Sequence, residues 1–385
     1  MLLYAAIYAA YGVASPFLPA FVAERGLAPE QLGVVLAAGT AVKLLTAPLA
    51  GRIGDLIHGL RMVLVVCIAL AALATLGYLS ARGFWLFLAL TLFHAGALAP
   101  MSVLADALAL GSASPPPGSG RRGFEYGWVR GTGSAAFIAG TLLSGQAVGA
   151  FGLEAIVPLQ ALLLGAAALA ASRVPELVRL RAARAARRPA GGVLALLRIA
   201  RFRALVLAAA LILGSHAMHD SFAMIRWSAA GIGPAVASVL WSEAVAAEVL
   251  VFFLAGPAIV RRLTPAGAIA IAAAAGALRW AVMAQTSEVI ALALLQPLHG
   301  ITFALLHLAC MRLIARAVPQ GLEGTAQALY GAVGIGAATA LLTLVSGALY
   351  GRVGAQGFWV MAALCVLALP LAWRLREPEE KAVPG

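Results

Sequence analysis

The sequence predicts an all-α membrane protein in which twelve transmembrane helices form two six-helix bundles and both termini are cytoplasmic. Hydrophobic residues make up 63% of the 385 residues, and charged residues make up only 11%. Apolar runs of about 20 residues, the length that crosses a bilayer core, recur along the whole chain. These runs are continuous rather than alternating, which favours helices over a β-barrel.

The helices can be followed in order from the N-terminus. The opening stretch, MLLYAAIYAAYGVASPFLPAF, lacks the basic region that starts a signal peptide and is therefore predicted to be the first transmembrane helix. Eleven further apolar runs follow it. The predicted spans are 2–22, 31–51, 62–80, 84–108, 129–150, 154–172, 204–226, 234–259, 265–284, 288–313, 325–350 and 355–374.

Basic residues indicate the orientation. If the N-terminus is cytoplasmic, 20 of the 27 Lys and Arg residues fall in cytoplasmic loops and the tail, and only four fall on the opposite side. By the positive-inside rule, both termini face the cytoplasm. This rule explains the net charge of +12 without a nucleic-acid partner. The predicted parts are an N-terminal bundle (1–172), a basic cytoplasmic linker (173–203), a C-terminal bundle (204–374) and a cytoplasmic tail (375–385).

Short patterns recur at an offset of about 200 residues. SGQAVGAFG at 144–152 and SGALYGRVG at 346–354 share the form SGxxxGxxG, and LAGRIG at 49–54 is echoed by LAGPAI at 254–259. Because both pairs lie in equivalent helices, we interpret the bundles as parallel six-helix repeats.

Several stretches of the chain resemble the major facilitator superfamily. GRIGDLIHGLR at 51–61 is similar to its loop signature, with Gly51, Asp55 and Arg61 as the expected cytoplasmic gate, although one extra residue precedes Gly59. FEYGWVRGTGS at 124–134 and the stretch at 278–314 resemble the branch that holds lactose permease, nucleoside–proton symporters and 3-phenylpropionate transporters. GSHAMHDSFAMIRWSAAG at 214–231 and LWSEAVAAEV at 240–249 resemble the 3-phenylpropionate group.

Ionisable residues inside the spans point to a functional site. At roughly 3 kcal/mol each, the seven formally charged ones would cost about 20 kcal/mol in lipid, more than the typical stability of a domain, about 5–15 kcal/mol. They must therefore pair or line a wet cavity. The seven are Lys43, Asp106, Arg130, Asp220, Glu243, Glu248 and Arg279, and His94, His216, His219, His299 and His307 also lie within spans.

Asp106 and Arg130 lie on spans four and five, which a helical hairpin brings together. They could form a permanent ion pair, or both could contact substrate. The resemblance implies substrate contact for Arg130, which occupies the arginine position of the family pattern YGxxR. Lys43, in the middle of span two, could extend to the headgroups or attract an anionic substrate. Trp241 is one of several aromatic residues that could stack on a substrate ring.

The resemblance to lactose permease implies that Arg279 and His299 help couple substrate to proton movement. That family places a glutamate three residues after the histidine, where this chain has Thr302. We therefore consider Glu248 the first candidate for the proton carrier, followed by Asp220 and His216, because burial disfavours a charged carboxylate. Glu248 could instead simply pair with Arg279. Glu243 lies about 140° from it on the helix.

His216, His219 and Asp220 have the spacing of one helix face, so that face is expected to border a polar cavity. They could bind a metal, but the helix supplies no fourth ligand, and no metal or cofactor is predicted. Arg226 is expected to extend to the headgroups. His94 and His307 are interpreted as packing histidines.

The resemblance implies a secondary transporter that carries a small aromatic carboxylate together with protons, and a monomer is expected. The Ala- and Arg-rich composition is typical of a GC-rich bacterial gene, which predicts the bacterial inner membrane as its location. A nucleoside or sugar symporter, a drug exporter and a non-transporting receptor remain alternatives. An enzyme is not expected, because no histidine begins HExxH and neither lysine fits GxxxxGK[ST]. The substrate, the direction, the proton stoichiometry and the identity of the proton carrier stay open.

Overall fold

A computed structural model describes residues 1–113, 124–174 and 192–376. Arg121 and Arg122, most of the basic linker (175–191) and the end of the tail with Lys381 (377–385) lie outside the described residues.

The described residues form helices and no strands. Eleven segments are long and apolar enough to cross a membrane, and the longest, Glu323–Arg374, has 52 residues. Such a helix would measure about 78 Å, far more than the roughly 30 Å of a bilayer core. A turn at Gly354–Gly357, where Gly354 has φ +55°, divides it into two. Each of the twelve resulting helices coincides with one predicted span.

The helices carry the following bounds in chain order. They are α1 (Leu2–Glu24), α2 (Pro29–Leu56), α3 (Leu60–Gly77), α4 (Gly83–Ala113), α5 (Tyr126–Phe151), α6 (Ile156–Ser172), α7 (Ala200–Gly214 and Ala217–Ala229), α8 (Pro234–Leu250 and Gly256–Arg262), α9 (Pro265–Gln285), α10 (Val289–Leu295 and Leu306–Ala317), α11 (Glu323–Leu329 and Ala338–Val353) and α12 (Phe358–Arg374). A short linker helix, Gly192–Arg198, precedes α7.

Twelve crossings bring both ends of the described chain to the same end of the bundle, which we call the terminal end; the opposite end is the distal end. Helices α1–α6 pack mainly on one another, as do α7–α12. The two halves meet where α2 crosses the second part of α11, where α5 crosses the first part of α8, and where α1 meets the second part of α7. All three are distal portions of α7, α8 and α11.

The apolar cores have the same asymmetry. A single core at the distal end contains Phe21 and Tyr78 from the first half together with Trp227, Trp280 and Phe358 from the second. At the terminal end each half has its own core. Burial of shared apolar surface therefore holds the halves together distally, while they stay separate at the terminal end.

Glycines allow the distal helices to touch. A Cβ added to Gly33 of α2 would lie 2.7 Å from the Cα of Gly347 on α11. Gly145 of α5 packs in the same way on Ser238 of α8. Gly145 and Gly347 are the first glycines of the two SGxxxGxxG motifs, so the recurring motif forms both crossings between the halves.

Three wide helical segments interrupt the C-terminal half. These π segments are Val251–Ala255 in α8, Gly300–Leu305 in α10 and Tyr330–Ala337 in α11. The described part of the N-terminal half has none. Because π turns are rare and occur often at functional sites, they direct attention to the second half.

Candidate functional site

A cavity of about 590 Å³ lies between the halves, next to the shared distal core. This volume is within the range of about 300–1,000 Å³ that is usual for small-molecule sites. Leu18, Leu36 and Phe137 provide part of its apolar wall. Its polar lining consists of Tyr11, Ser15, Thr40, Lys43, Tyr78, Thr91, His94, Ser102, Gln160, Asp220, Ser221, Thr339 and Thr343.

Two formally charged side chains line this cavity, Lys43 on α2 and Asp220 on α7. Lys43 has no carboxylate within ion-pair distance among the residues that the structure describes. His94, on the same wall, lies within its electrostatic range. The Asp220 side chain is 52% exposed and lies within electrostatic range of Arg279. The cavity therefore has a cation on one wall and a carboxylate on the other.

A polar series connects α9, α10 and α8. Arg279 is fully buried, donates to Gln296 Oε1 at 2.7 Å and lies 3.3 Å from His299 Nδ1. His299 Nε2 in turn lies 3.4 Å from Glu248 Oε2. Because a guanidinium can only donate, Nδ1 accepts and the proton of a neutral His299 sits on Nε2, directed at Glu248. Glu248 and Arg279 are thus linked through His299 rather than directly.

His216 and His219 lie inside the C-terminal half, and only Asp220 of that predicted face lines the cavity. His216 Nε2 lies 2.9 Å from Thr302 Oγ1, and its Nδ1 bonds a carbonyl one turn earlier. His219 stacks on Trp241 with ring centroids 5.0 Å apart. The expectation that all three border the cavity is therefore wrong, because the two imidazoles find polar and aromatic partners within the bundle.

Asp106 and Arg130 form a cluster near the terminal end of the N-terminal half. Arg130 donates to Tyr8 Oη at 2.7 Å and lies 3.7 Å from Asp106. Tyr4 donates a hydrogen bond to the same carboxylate. Neither charged residue lines the cavity, but the Arg130 side chain is 44% exposed and lies within electrostatic range of Glu248 across the gap. Both of its predicted roles remain compatible with this position.

Other predicted residues lie apart from these clusters. Glu243 is half-buried on α8 and makes no hydrogen bond or ion pair within the described ranges. In the loop signature, Gly51 has open space around it, Asp55 is exposed, and Arg61 donates to the carbonyl of Val174 at 3.3 Å. These three residues lie together at the terminal end of α2 and α3.

Arg226 differs from its predicted role. Instead of extending outwards, it donates to the carbonyl oxygens of Met283 and Thr286, the latter at 2.9 Å. Its guanidinium also lies 5.7 Å from the ring of Phe358. Arg226 therefore caps the end of α9, where helical carbonyls lack intrahelical donors.

Two polar residues of the clusters were not among the predicted site residues. Gln296 precedes His299 by three positions, a spacing that places both on one helix face and could have identified it. Gln160 lines the cavity from α6; as a single amide in an apolar helix, it is the kind of polar residue that faces a bundle interior.

Comparison with known proteins settles the family. The model of the MFS_1-like family matches residues 1–361. The chain belongs to this family of the major facilitator superfamily. Its membership and its many apolar helices identify a multi-pass membrane protein and a secondary transporter.

Relatives and solved structures agree with this assignment. The chain is 33% identical to a protein of Escherichia coli (strain K12) described as a "Probable 3-phenylpropionic acid transporter", over 95% of this chain and 94% of the relative. It is 25% identical to a maltose permease of Geobacillus stearothermophilus, over 99% and 94%. Among solved structures, the nucleoside transporter NupG matches with TM-score 0.83 at 17% identity, over 98% of both chains. A D-xylose–proton symporter matches with TM-score 0.68 at 16% identity, over 99% and 97%.

Proposed function

We propose that this protein is a proton symporter that carries a small aromatic carboxylate by alternating access. The cavity between the halves carries the proposal, because it holds Lys43, which has no carboxylate partner among the described residues, beside the aromatic side chains of Tyr11, Tyr78 and Phe137. A substrate carboxylate would pair with Lys43, and its ring would pack on the aromatic wall. The relative described as a 3-phenylpropionic acid transporter supports this substrate class.

Glu248 is the proton carrier in this proposal. A protonated Glu248 is neutral beside His299. A deprotonated Glu248 accepts a hydrogen bond from His299 Nε2–H, and its negative charge attracts Arg130 across the gap. Loading the proton therefore changes the attraction between the two halves at the terminal end. Such a change biases one conformation over another, as coupling requires.

We assign the terminal end to the cytoplasm, since Arg52, Arg261, Arg262, Arg316 and Arg374 lie there. The two halves, 1–172 and 204–374, act as the rocking units in a bacterial inner membrane, and the protein works as a monomer. The shared distal core then closes the cavity from outside, and the separate terminal cores leave it open to the cytoplasm. This corresponds to an inward-facing state.

A nucleoside or sugar symporter is the second candidate. Hydroxyl groups of Ser15, Thr40, Ser102, Thr339 and Thr343 line the cavity, and they could bind the hydroxyls of such a substrate. A maltose permease is also among the relatives.

External pH of de-energised, lightly buffered cells tests the substrate class. 3-Phenylpropionate, cinnamate, a nucleoside and a galactoside are added in turn, and we expect alkalinisation with the two aromatic acids alone. Alkalinisation with the nucleoside or the galactoside would show that the substrate belongs to that class instead, and proton symport would still hold. Entry of labelled phenylpropionate above the control without any pH change would indicate uniport and contradict the coupling roles.

The Lys43→Gln variant tests the anchor. A charged hydrogen bond contributes about 1.5–3 kcal/mol, so half-maximal uptake should require roughly 10- to 150-fold more aromatic acid. Lys43→Arg keeps the charge and should lose less, which controls for altered packing. Arg130→Ala should abolish the pH response if Arg130 also contacts the carboxylate. Unchanged half-saturation in Lys43→Gln would refute the assignment of the anchor.

A further inference from the structure

The three π segments lie on the terminal side of Glu248 and His299 and surround a pair that the proposed coupling leaves unused, His307 and Tyr330. His307 Nδ1 lies 3.2 Å from Tyr330 Oη. His307 follows the π segment of α10, and Tyr330 begins the π segment of α11. The π segment of α8 starts three residues after Glu248.

The π segment of α10 aligns His307 with His299. Eight residues of α-helix would place the two imidazoles about 80° apart around the axis. Wider π turns rotate less per residue and reduce this difference. Both rings consequently face α8, where His299 lies 3.4 Å from Glu248 and the His307 ring centroid lies 5.9 Å from that of Phe252. Phe252 follows Glu248 by one helical turn.

Glu248 and His307 lie within electrostatic range of each other. Among the described residues, His307 also faces Tyr330 of α11, and Cys310, one turn further along α10, bonds to Tyr330. Glu248 in turn faces His299 and Arg130. His307 is half-buried rather than sealed. It lies between Glu248 and the terminal end, about 12 Å from His299 along the helix at 1.5 Å per residue.

Aromatic rings separate the two histidines. Phe303 stacks on His299 with centroids 5.5 Å apart, and Phe252 contacts Phe303 at 6.4 Å and His307 at 5.9 Å. These rings form an apolar barrier that keeps water from joining His299 to His307 through the C-terminal bundle. A transporter needs such a barrier, because free proton flow would dissipate the gradient without moving substrate.

We propose that His307, with Tyr330, is the station that receives the proton from Glu248 and releases it at the terminal end. The O–H bond of the Glu248 carboxyl breaks and an N–H bond forms at His307 Nε2. The resulting imidazolium then loses the same Nε2 proton to water at the terminal end, while its Nδ1–H donates to the buried Tyr330 hydroxyl and holds the ring in place. Movement of α8 past α10 at the π segments opens the aromatic barrier for this step. The proposal rests on proton symport as the proposed function.

Two transport assays in reconstituted vesicles distinguish a proton relay at His307 from a purely structural role of this residue. Counterflow of labelled substrate against unlabelled substrate needs no net release of protons, whereas uptake driven by a pH gradient does. Since proton transfer by a positioned side chain contributes roughly 10²–10⁴-fold, we expect His307→Gln to lower gradient-driven uptake at least tenfold and to leave counterflow within about twofold of wild type. Tyr330→Phe should lower gradient-driven uptake less, because it removes the hydrogen bond that orients the ring but leaves the titrating imidazole.

Leu308→Gln is the matched control, since it places the same amide one position along α10 and removes no titratable group. The relay is overturned if His307→Gln loses counterflow and gradient-driven uptake equally. It is also overturned if Leu308→Gln loses gradient-driven uptake and keeps counterflow. Full gradient-driven uptake in His307→Gln, while the wild type couples normally, would overturn it as well. If the wild type moves no protons with any substrate, the proposed proton symport itself fails. This outcome differs from failure of the relay, in which the wild type still couples substrate to protons.

Discussion

The distal crossing of α2 and α11 predicts that a single methyl group will open the cavity from the distal side. The Cβ of Gly33→Ala would lie 2.7 Å from Gly347 Cα and 3.2 Å from two further backbone atoms of α11. Backbone atoms cannot rotate away, so the helices must separate by about 1 Å to restore van der Waals contact. Overpacking of this kind costs about 1–3 kcal/mol.

This penalty applies only to the distally closed conformation. Alanine is also a better helix former than glycine by about 1 kcal/mol, but that gain is equal in both folded conformations and cancels. The population with an open distal end should therefore rise about 5- to 150-fold.

Cysteine accessibility measures this change. Ser15 lines the cavity and is exposed there, so Ser15→Cys in a background without the three native cysteines reports on access. A membrane-impermeant maleimide is added from the distal side of right-side-out vesicles. Gly149→Ala is the control, because a Cβ at Gly149 meets nothing within 4 Å. An alkylation rate in Gly33→Ala no higher than in the Gly149→Ala control would refute the reasoning.

Two further predictions concern charged residues. Glu248→Gln should keep substrate counterflow but lose substrate-dependent alkalinisation, because the amide cannot carry a proton; persistence of the pH change would assign the carrier elsewhere, with Asp220 next to be tested. Arg226→Gln should lower the unfolding free energy by about 1–3 kcal/mol, since two carbonyl oxygens at the end of α9 lose a charged donor. A melting temperature in detergent equal to that of the wild type would contradict this capping role.

The fold could be predicted because the bilayer constrains it so strongly. Every backbone polar group within lipid must be satisfied internally, so an apolar run of sufficient length has to be a helix. All twelve spans were predicted on this basis, with ends that differ from the observed helices by no more than a few residues. The SGxxxGxxG repeat indicated equivalent halves, but not that Gly145 and Gly347 would form the crossings between them.

The interior of the site was less predictable. Helical periodicity places His216, His219 and Asp220 on one face, but it does not say whether that face meets a neighbouring helix or a cavity. Only the packing of α7 against Trp241 of α8, Trp280 of α9 and Thr302 of α10 decides this. The π segments also lack a sequence rule, since their hydrogen-bond shift depends on neighbours such as Gly300, which allows α10 to approach α8 closely. Sequence reasoning consequently interpreted His307 as packing only.

The cavity's two charges lie on opposite walls: Lys43 belongs to the first half of the chain, and Asp220 belongs to the second, as does the polar series with His299 and Glu248. In the proposed mechanism, substrate binding at Lys43 and proton loading at Glu248 therefore use different halves of the chain. On this proposal, substitutions around Lys43 should change substrate selectivity and leave proton loading at Glu248 unchanged.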